Sequence, residues 1–229
     1  MGIVKRTVKK ALGLVLNYTP EIDCPGKEFL GTAYGGWCIC PEKITPASVL
    51  YSLGVGEDIS FDLAMIDKYQ VQIYAFDPTP QSVAWIKNQN VPEQFHFFDY
   101  GIASFDGTAM FYPRKDTEHG SYSMLERRAR KTEGIELSFH RLGTIMHKLG
   151  HQKIDILKMD IEGAEYEVID DLLAASLHID QLLVEFHHKR FKHVGVLDTK
   201  RAIKKLRDNN FRLFSVSPRQ REFSFMYQK

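Results

Sequence analysis

The chain has 229 residues, of which 44% are hydrophobic, 26% charged and 12% aromatic. These are ordinary globular proportions and exclude disordered, collagen-like and disulfide-scaffold classes. Thirty Lys and Arg stand against 29 Asp and Glu, a formal net charge of +1, so no whole-molecule field draws in nucleic acid.

Lys5, Arg6, Lys9 and Lys10 precede a short apolar stretch over 11–16. That stretch is far below the roughly 20 residues needed to cross a bilayer. Asn17-Tyr18-Thr19-Pro20 follows it in place of a small-residue cleavage site. Position 6 is Arg, which removes the Ser or Thr of a myristoylation signal after Met1-Gly2. A solvated basic start without stable membrane insertion is expected. Residues 1–45 carry Pro20, Pro25 and Pro41 as breakers and read as an irregular extension packed on a core domain over 46–229. Cys24, Cys38 and Cys40 lack a nearby fourth soft ligand for zinc. They are read as buried reduced thiols, and with no export signal they point to a cytoplasmic protein.

From residue 48 the pattern changes. A short apolar strand over 49–53 runs into Gly54-Val55-Gly56, and Ile59, Leu63 and Ile66 recur at helical spacing over 59–69. A second strand over 71–76 ends at Asp77, a helix follows over 81–88, and a third strand over 95–98 ends at Asp99. This alternation builds βαβ units and a parallel sheet. Residues 104–137 are polar and interrupted by Gly107, Pro113, Gly120 and Gly134. They read as an insertion or lid, with a β-excursion over 108–112. Then come a helix over 142–149, a strand over 154–161, a helix over 164–175, a strand over 180–186 and a helix over 198–209. Two strands close the chain over 211–216 and 222–227. The link between them is too short for a parallel crossover, so they form an antiparallel hairpin. Residues 189–229 hold twelve Lys and Arg against three acids, which reads as a solvated helix face.

Glycines at 54 and 56 let the backbone turn sharply and let a ligand approach closely. Asp77, at the next strand end, is placed to accept from both ribose hydroxyls of a nucleotide. A dinucleotide fingerprint would need Gly at 59, where Ile59 stands. Glu57 and Asp58 at the helix start repel a pyrophosphate and suit a cationic sulfonium with an α-ammonium. Helix capping is the plain alternative reading of those acids. In the run Lys158-Met159-Asp160-Ile161-Glu162-Gly163-Ala164-Glu165, residues Lys158, Asp160 and Glu162 alternate on one face of a strand tip. Buried charge is costly, so they are expected at the open C-terminal end of the strand, where ligands bind. For Lys158 a structural ion pair weighs equally with a functional role.

This run, with Leu183-Val184-Glu185-Phe186-His187, resembles the FkbM-type family of class I S-adenosylmethionine (SAM) methyltransferases. The resemblance implies an α/β, Rossmann-like, seven-stranded and mostly parallel sheet with a C-terminal antiparallel hairpin. It also implies SAM as donor and methyl transfer to a hydroxyl of a small molecule or glycan. Carried over, Gly54 and Gly56 hold the methionine part of SAM, Asp77 the ribose, and Asp99 with Ile102 the adenine. Asp160 and Glu162 face the transfer site. Ser52 and Asp58 depart from the usual class I turn, which has an acid and a third glycine there, so Glu57 or Asp58 is expected to substitute.

A hydroxyl acceptor needs a base. Asp160 is the first candidate; Glu185 and His187, on one face of the next strand end, are the second. The same three groups suit a divalent metal that lowers the acceptor pKa, while a surface histidine pair is the plain reading of His187 and His188. Trp37, Tyr122 and Trp85 are candidate stacking residues, with Trp85 better read as packing. The competing functions are a nicotinamide-dependent oxidoreductase, a SAM-binding protein without catalysis, and nucleic-acid methylation. The last finds little support in the sparse aromatics of the basic tail.

Overall fold

The computed structural model describes residues 15–113, 122–123, 134–188 and 194–228. In chain order the elements are β1 (Glu28–Leu30), β2 (Trp37–Ile39), β3 (Val49–Leu53), α1 (Ser60–Tyr69), β4 (Gln72–Phe76), α2 (Pro80–Ile86) and β5 (Phe95–Phe98). Next come β6 (Gly101–Ile102), β7 (Gly107–Pro113), β8 (Tyr122–Ser123), β9 (Ile135–His140), α3 (Leu142–Leu149), β10 (Ile154–Met159) and α4 (Glu165–Ala174). The chain closes through β11 (Ile179–Glu185), α5 (Val196–Asp208), β12 (Phe211–Val216) and β13 (Glu222–Tyr227).

Seven strands form the central sheet in the order β12-β13-β11-β10-β3-β4-β5. Every neighbouring pair among β11, β10, β3, β4 and β5 is parallel. β13 runs antiparallel to both β11 and β12. This is the mostly parallel α/β sheet with a terminal hairpin that the alternation of elements implied. The sequence order reverses beside β3, so the loops after β3 and β10 flank the crevice where ligands bind in such sheets.

The strands are buried on both faces, and period-two alternation divides them between two cores. Tyr74 and Phe76 of β4 pack on the face that receives α3, α4 and α5 through Leu142, Ile169 and Ile203. Ile73 and Ala75 pack on the other face with Phe61 and Met65 of α1. There the N-terminal segment completes the cover, burying Cys24, Trp37, Ile39 and Cys40. Gln181 of β11 both donates to the Cys40 carbonyl (2.7 Å) and accepts from its amide (2.9 Å). The basic face of α5 is laced with acids, through Arg201–Asp198, Lys204–Asp208, Lys205–Asp170 and Arg207–Glu21, as a solvated face requires.

Two readings of the sequence are corrected. The extension is not wholly irregular, because β1 and β2 pair antiparallel within it. Cys24 and Cys40 are not reduced thiols but a disulfide, and Cys38 is the free cysteine. Cys24 precedes β1 and Cys40 follows β2, so strand pairing folds two distant cysteines together. Chain spacing alone did not disclose that pairing. The premise of reduced cysteines behind a cytoplasmic compartment therefore fails for this pair. Among the described residues no helix is long and apolar enough to cross a membrane. The insertion contributes β7, β8 and the start of β9 to a second sheet, ordered β6-β9-β7-β8. Residues 114–121 and 124–133 of the expected lid, the basic residues before 15, and 189–193 of the basic tail lie outside the described residues.

Gly54 has φ +81°, and a Cβ there would lie 1.8 Å from the carbonyl oxygen of Asp160. Gly56 has φ +57°, but a Cβ there meets nothing within 4 Å. Gly54→Ala is therefore expected to cost roughly 3 kcal/mol or more and Gly56→Ala about 1 kcal/mol, read by urea unfolding. Equal costs would refute the close approach.

Candidate active site

A crevice of about 1150 Å³ opens at the C-terminal ends of the central strands. Its lining includes the turn Gly54–Asp58, Asp77 at the end of β4, and Lys158, Asp160, Glu162 and Glu185 at the ends of β10 and β11. Elements far apart in sequence converge here because parallel strands deliver all their C-terminal loops to one edge.

The glycine turn is held from below. Lys158, buried, donates from Nζ to the Gly54 carbonyl at 2.5 Å. Asp62, on the first turn of α1, is buried near the same lysine. Burial pushes its carboxyl up, with the charge of Lys158 opposing. Asp62 brings a buried carboxylate near Lys158 from the next element. Lys158 is thus tied to the backbone of the turn rather than aimed at an acceptor.

Asp77 is also committed to the turn. Its Oδ2 accepts from the amides of Val55 and Gly56, both at 3.0 Å. Its Oδ1 accepts from the Thr79 amide at 2.9 Å and from Thr79 Oγ1 at 2.6 Å. Four donors fill the four lone-pair positions of a carboxylate. Glu57, exposed on the same rim, accepts from Gln81 at 3.0 Å. Asp58 accepts from Thr32 Oγ1 (2.7 Å) and the Ser60 amide (2.8 Å), tying the N-terminal segment to the start of α1. Partial burial pushes Asp58 up, but hydrogen bonds from the Ser60 side chain and amide and from Thr32, with the charge of Lys158, outweigh it and leave its carboxyl below the usual range. Ile102 lines the crevice with Gly101, Phe111 and Phe139, forming an apolar wall. Asp99 is exposed and outside that lining. Trp37 and Trp85 line the crevice, Trp37 being buried.

The acid cluster is built around His187. Its side chain is 1% exposed, and Nδ1 donates to Glu165 Oε1 at 2.5 Å. A carboxylate only accepts, so Nδ1 carries a proton. The Nε2 edge faces Asp160 (3.5 Å), Glu162 (3.6 Å) and Glu185 (3.6 Å). Arg221 pairs with Glu185. Burial alone pulls the imidazole down. The charge and hydrogen bond of Glu165, joined by Asp160 and Glu162, outweigh it and carry His187 up to about 9. Burial, then the charge of Asp160, pushes Glu185 up to about 7. Divergent carboxylate and imidazole environments of this kind characterise functional sites.

Of the residues expected from sequence, Gly54, Gly56, Glu57, Asp58, Asp77, Ile102, Lys158, Asp160, Glu162 and Glu185 line one crevice. His187 supports it from the buried layer. Glu165 and Arg221 were not anticipated as site residues. A signal for Glu165 was present: it is the last acid of the run that starts at Lys158, and it falls in the first turn of α4.

A sheet of this order, with a glycine turn after its first central strand and acids at the neighbouring strand ends, has the class I methyltransferase fold. A profile of the methyltransferase FkbM domain matches residues 24–213, and the chain belongs to that family. It is 28% identical over 181 residues to a Homo sapiens protein named probable methyltransferase-like protein 24, covering 72% of this chain and 41% of that protein. The Rattus norvegicus protein of the same name is 26% identical over 201 residues, covering 80% and 49%. The chain thus spans less than half the length of these curated relatives. Among solved structures, the chain is similar to Methanococcus jannaschii fibrillarin, a pre-rRNA processing protein (TM-score 0.47, 9% identity, covering 92% of this chain and 86% of that one). It is also similar to Aeropyrum pernix fibrillarin with natively bound SAM (TM-score 0.45, 11% identity, covering 90% and 85%).

A raised histidine stabilises the fold fully below its ordinary value near 6.5, and that contribution is lost as pH rises through about 9. The raised Glu185 makes its own loss lower, between 4.5 and about 7. Between about pH 7 and 9.5, in EDTA, the wild-type melting temperature is expected to fall more steeply than that of His187→Gln. Parallel slopes would refute the assignment.

Proposed function

We propose that the protein is a SAM-dependent methyltransferase acting on a hydroxyl of a small molecule or glycan. One observation carries this reading: a single crevice is lined both by the Gly54–Asp58 turn and by Asp160, Glu162 and Glu185. Its volume, about 1150 Å³, exceeds the roughly 300–1,000 Å³ of a one-ligand site, which supports a donor and an acceptor bound together.

The residues fit SAM. Open space beside Gly56 leaves room for a close backbone approach. Acids around the turn suit the positive charge of the sulfonium and α-ammonium and disfavour a pyrophosphate. When bound, SAM supplies a methyl group already activated by its sulfonium. Gly54 and Gly56 hold the methionine end, and Ile102, with Phe139 beside it, packs against the adenine. Because the four acceptor positions of Asp77 are occupied, its part in ribose binding runs through the turn it braces, and Glu57 on the rim offers the free carboxylate oxygen. Lys158 keeps the turn in register.

On the acceptor side Asp160 accepts the hydroxyl proton, with Glu162 and Glu185 beside it and His187 fixing their arrangement. No Asn/Asp-Pro-Pro-Tyr run is present in the sequence, which supports oxygen over amino-group acceptors. The Cys24–Cys40 disulfide favours an oxidising compartment over the cytoplasm for this chain.

Calorimetry is expected to give micromolar binding of SAM or S-adenosylhomocysteine and none of NADH; the reverse would overturn the donor assignment. Asp160→Asn is expected to keep SAM affinity within about threefold while lowering turnover of hydroxylated acceptors by 10²-fold or more, in the range of a lost general base. Unchanged turnover would remove Asp160 as the base. Alkylation and intact-mass measurement of protein secreted into an oxidising medium is expected to find one reactive thiol, Cys38. Three would refute the disulfide.

A further inference from the structure

We propose that Asp160, Glu185 and His187 together bind one divalent metal ion at the acceptor end of the crevice. The proposal rests on the O-methyl reading above and deepens it: with the ion bound, Asp160 serves as its ligand and the coordinated hydroxyl, made more acidic, gives its proton to water.

Three observations carry it. Ligand atoms of the three side chains lie within 4.8 Å of one another, the spread expected of groups around one ion with metal–ligand bonds of about 2.0–2.3 Å. The imidazole is held as metal-binding histidines are held. Fully buried Glu165 accepts from Nδ1, which fixes the ring with its Nε2 edge towards the crevice acids, where an ion takes the place of the Nε2 proton. Charge is the third. Asp160, Glu162 and Glu185 all lie within 3.6 Å of Nε2, and Glu165 sits on the far side of the ring. Four carboxylates thus surround a ring whose neighbouring guanidinium, Arg221, is engaged with Glu185. A lone proton on Nε2 leaves the acids in excess, and a 2+ ion there neutralises more of them.

Each ligand comes from a rigid place. Asp160 directly follows β10 and Glu185 ends β11, the strands being paired through Met159 and Val184. His187 is two residues beyond β11, and Arg221 orients Glu185 from the terminal hairpin. Two carboxylates and one imidazole suit Mn²⁺, Fe²⁺, Co²⁺ or Zn²⁺ better than Mg²⁺, which prefers oxygen alone and retains its waters. With three protein ligands the ion keeps open positions facing the crevice. A hydroxyl coordinated there loses its proton to water at a lower pH than in solution. The charge that Asp160 would otherwise spend as a base is then spent holding the ion.

The test uses the purified full chain stripped with EDTA and titrated with Mn²⁺, free ion being read from its solution EPR signal. One Mn²⁺ per chain with micromolar affinity is expected. It should weaken at least 100-fold in His187→Gln and in Asp160→Asn, both checked for native circular dichroism, and persist in Asp155→Asn, an acid at the opposite end of β10. No saturable binding, or binding that survives both site variants, overturns the proposal. SAM calorimetry on the same samples separates the two readings: SAM bound without Mn²⁺ defeats only the metal site, and Mn²⁺ bound without SAM defeats the donor assignment.

Discussion

The site depends on one close approach. The Gly54 backbone lies so near the Asp160 carbonyl that no side chain fits between them, and Lys158 spans the same junction to the Gly54 carbonyl. The loop that would hold the donor and the strand tip that carries the acid cluster therefore form one packed joint. β3 and β10 are adjacent parallel strands, with Lys158 opposite Ser52 and Met159 opposite Leu53. Sheet register is thus what sets the relation between the glycine turn and the acids. A buried lysine would be expensive alone; here it satisfies a carbonyl and lies near the buried Asp62.

The second constraint is electrostatic. Asp160, Glu162, Glu165 and Glu185 converge on one imidazole, and two of the five groups, His187 and Glu165, are almost fully removed from water. Such a cluster opposes folding unless cations compensate it. Arg221 and a protonated His187 do so in part, which is why the histidine rises to about 9. A crevice with this surplus of negative charge favours cationic or neutral ligands and disfavours polyphosphates.

Both ends of the described chain also wall the crevice. The N-terminal segment contributes Phe29, Tyr34 and Trp37 to the crevice, and the terminal hairpin contributes Ser215 to Arg219. A disulfide, the Gln181 pair with Cys40 and the bond from Ser224 to the Cys38 carbonyl fasten that segment to the sheet. Rigid strand ends carrying the charged cluster, with attached loops completing the wall, are the division of labour expected where one fold serves many ligands.

Element order, the parallel sheet and the terminal hairpin were legible in the chain. Period-two and helical spacing report burial locally, and short links limit topology without long-range knowledge. The glycine turn and the alternating Lys158, Asp160 and Glu162 were legible for the same reason, since neighbours in sequence share a strand tip. Pairings between distant segments were decided only by the tertiary structure. The Cys24–Cys40 bond depends on a hairpin closing, the four donors on Asp77 come from two separate loops, and Glu165 meets His187 only because α4 shares a core with β11 and the residue after it, Tyr166 packing on Phe186. Side-chain periodicity encodes which face a residue occupies, whereas the partner across a contact is set by how the faces are brought together.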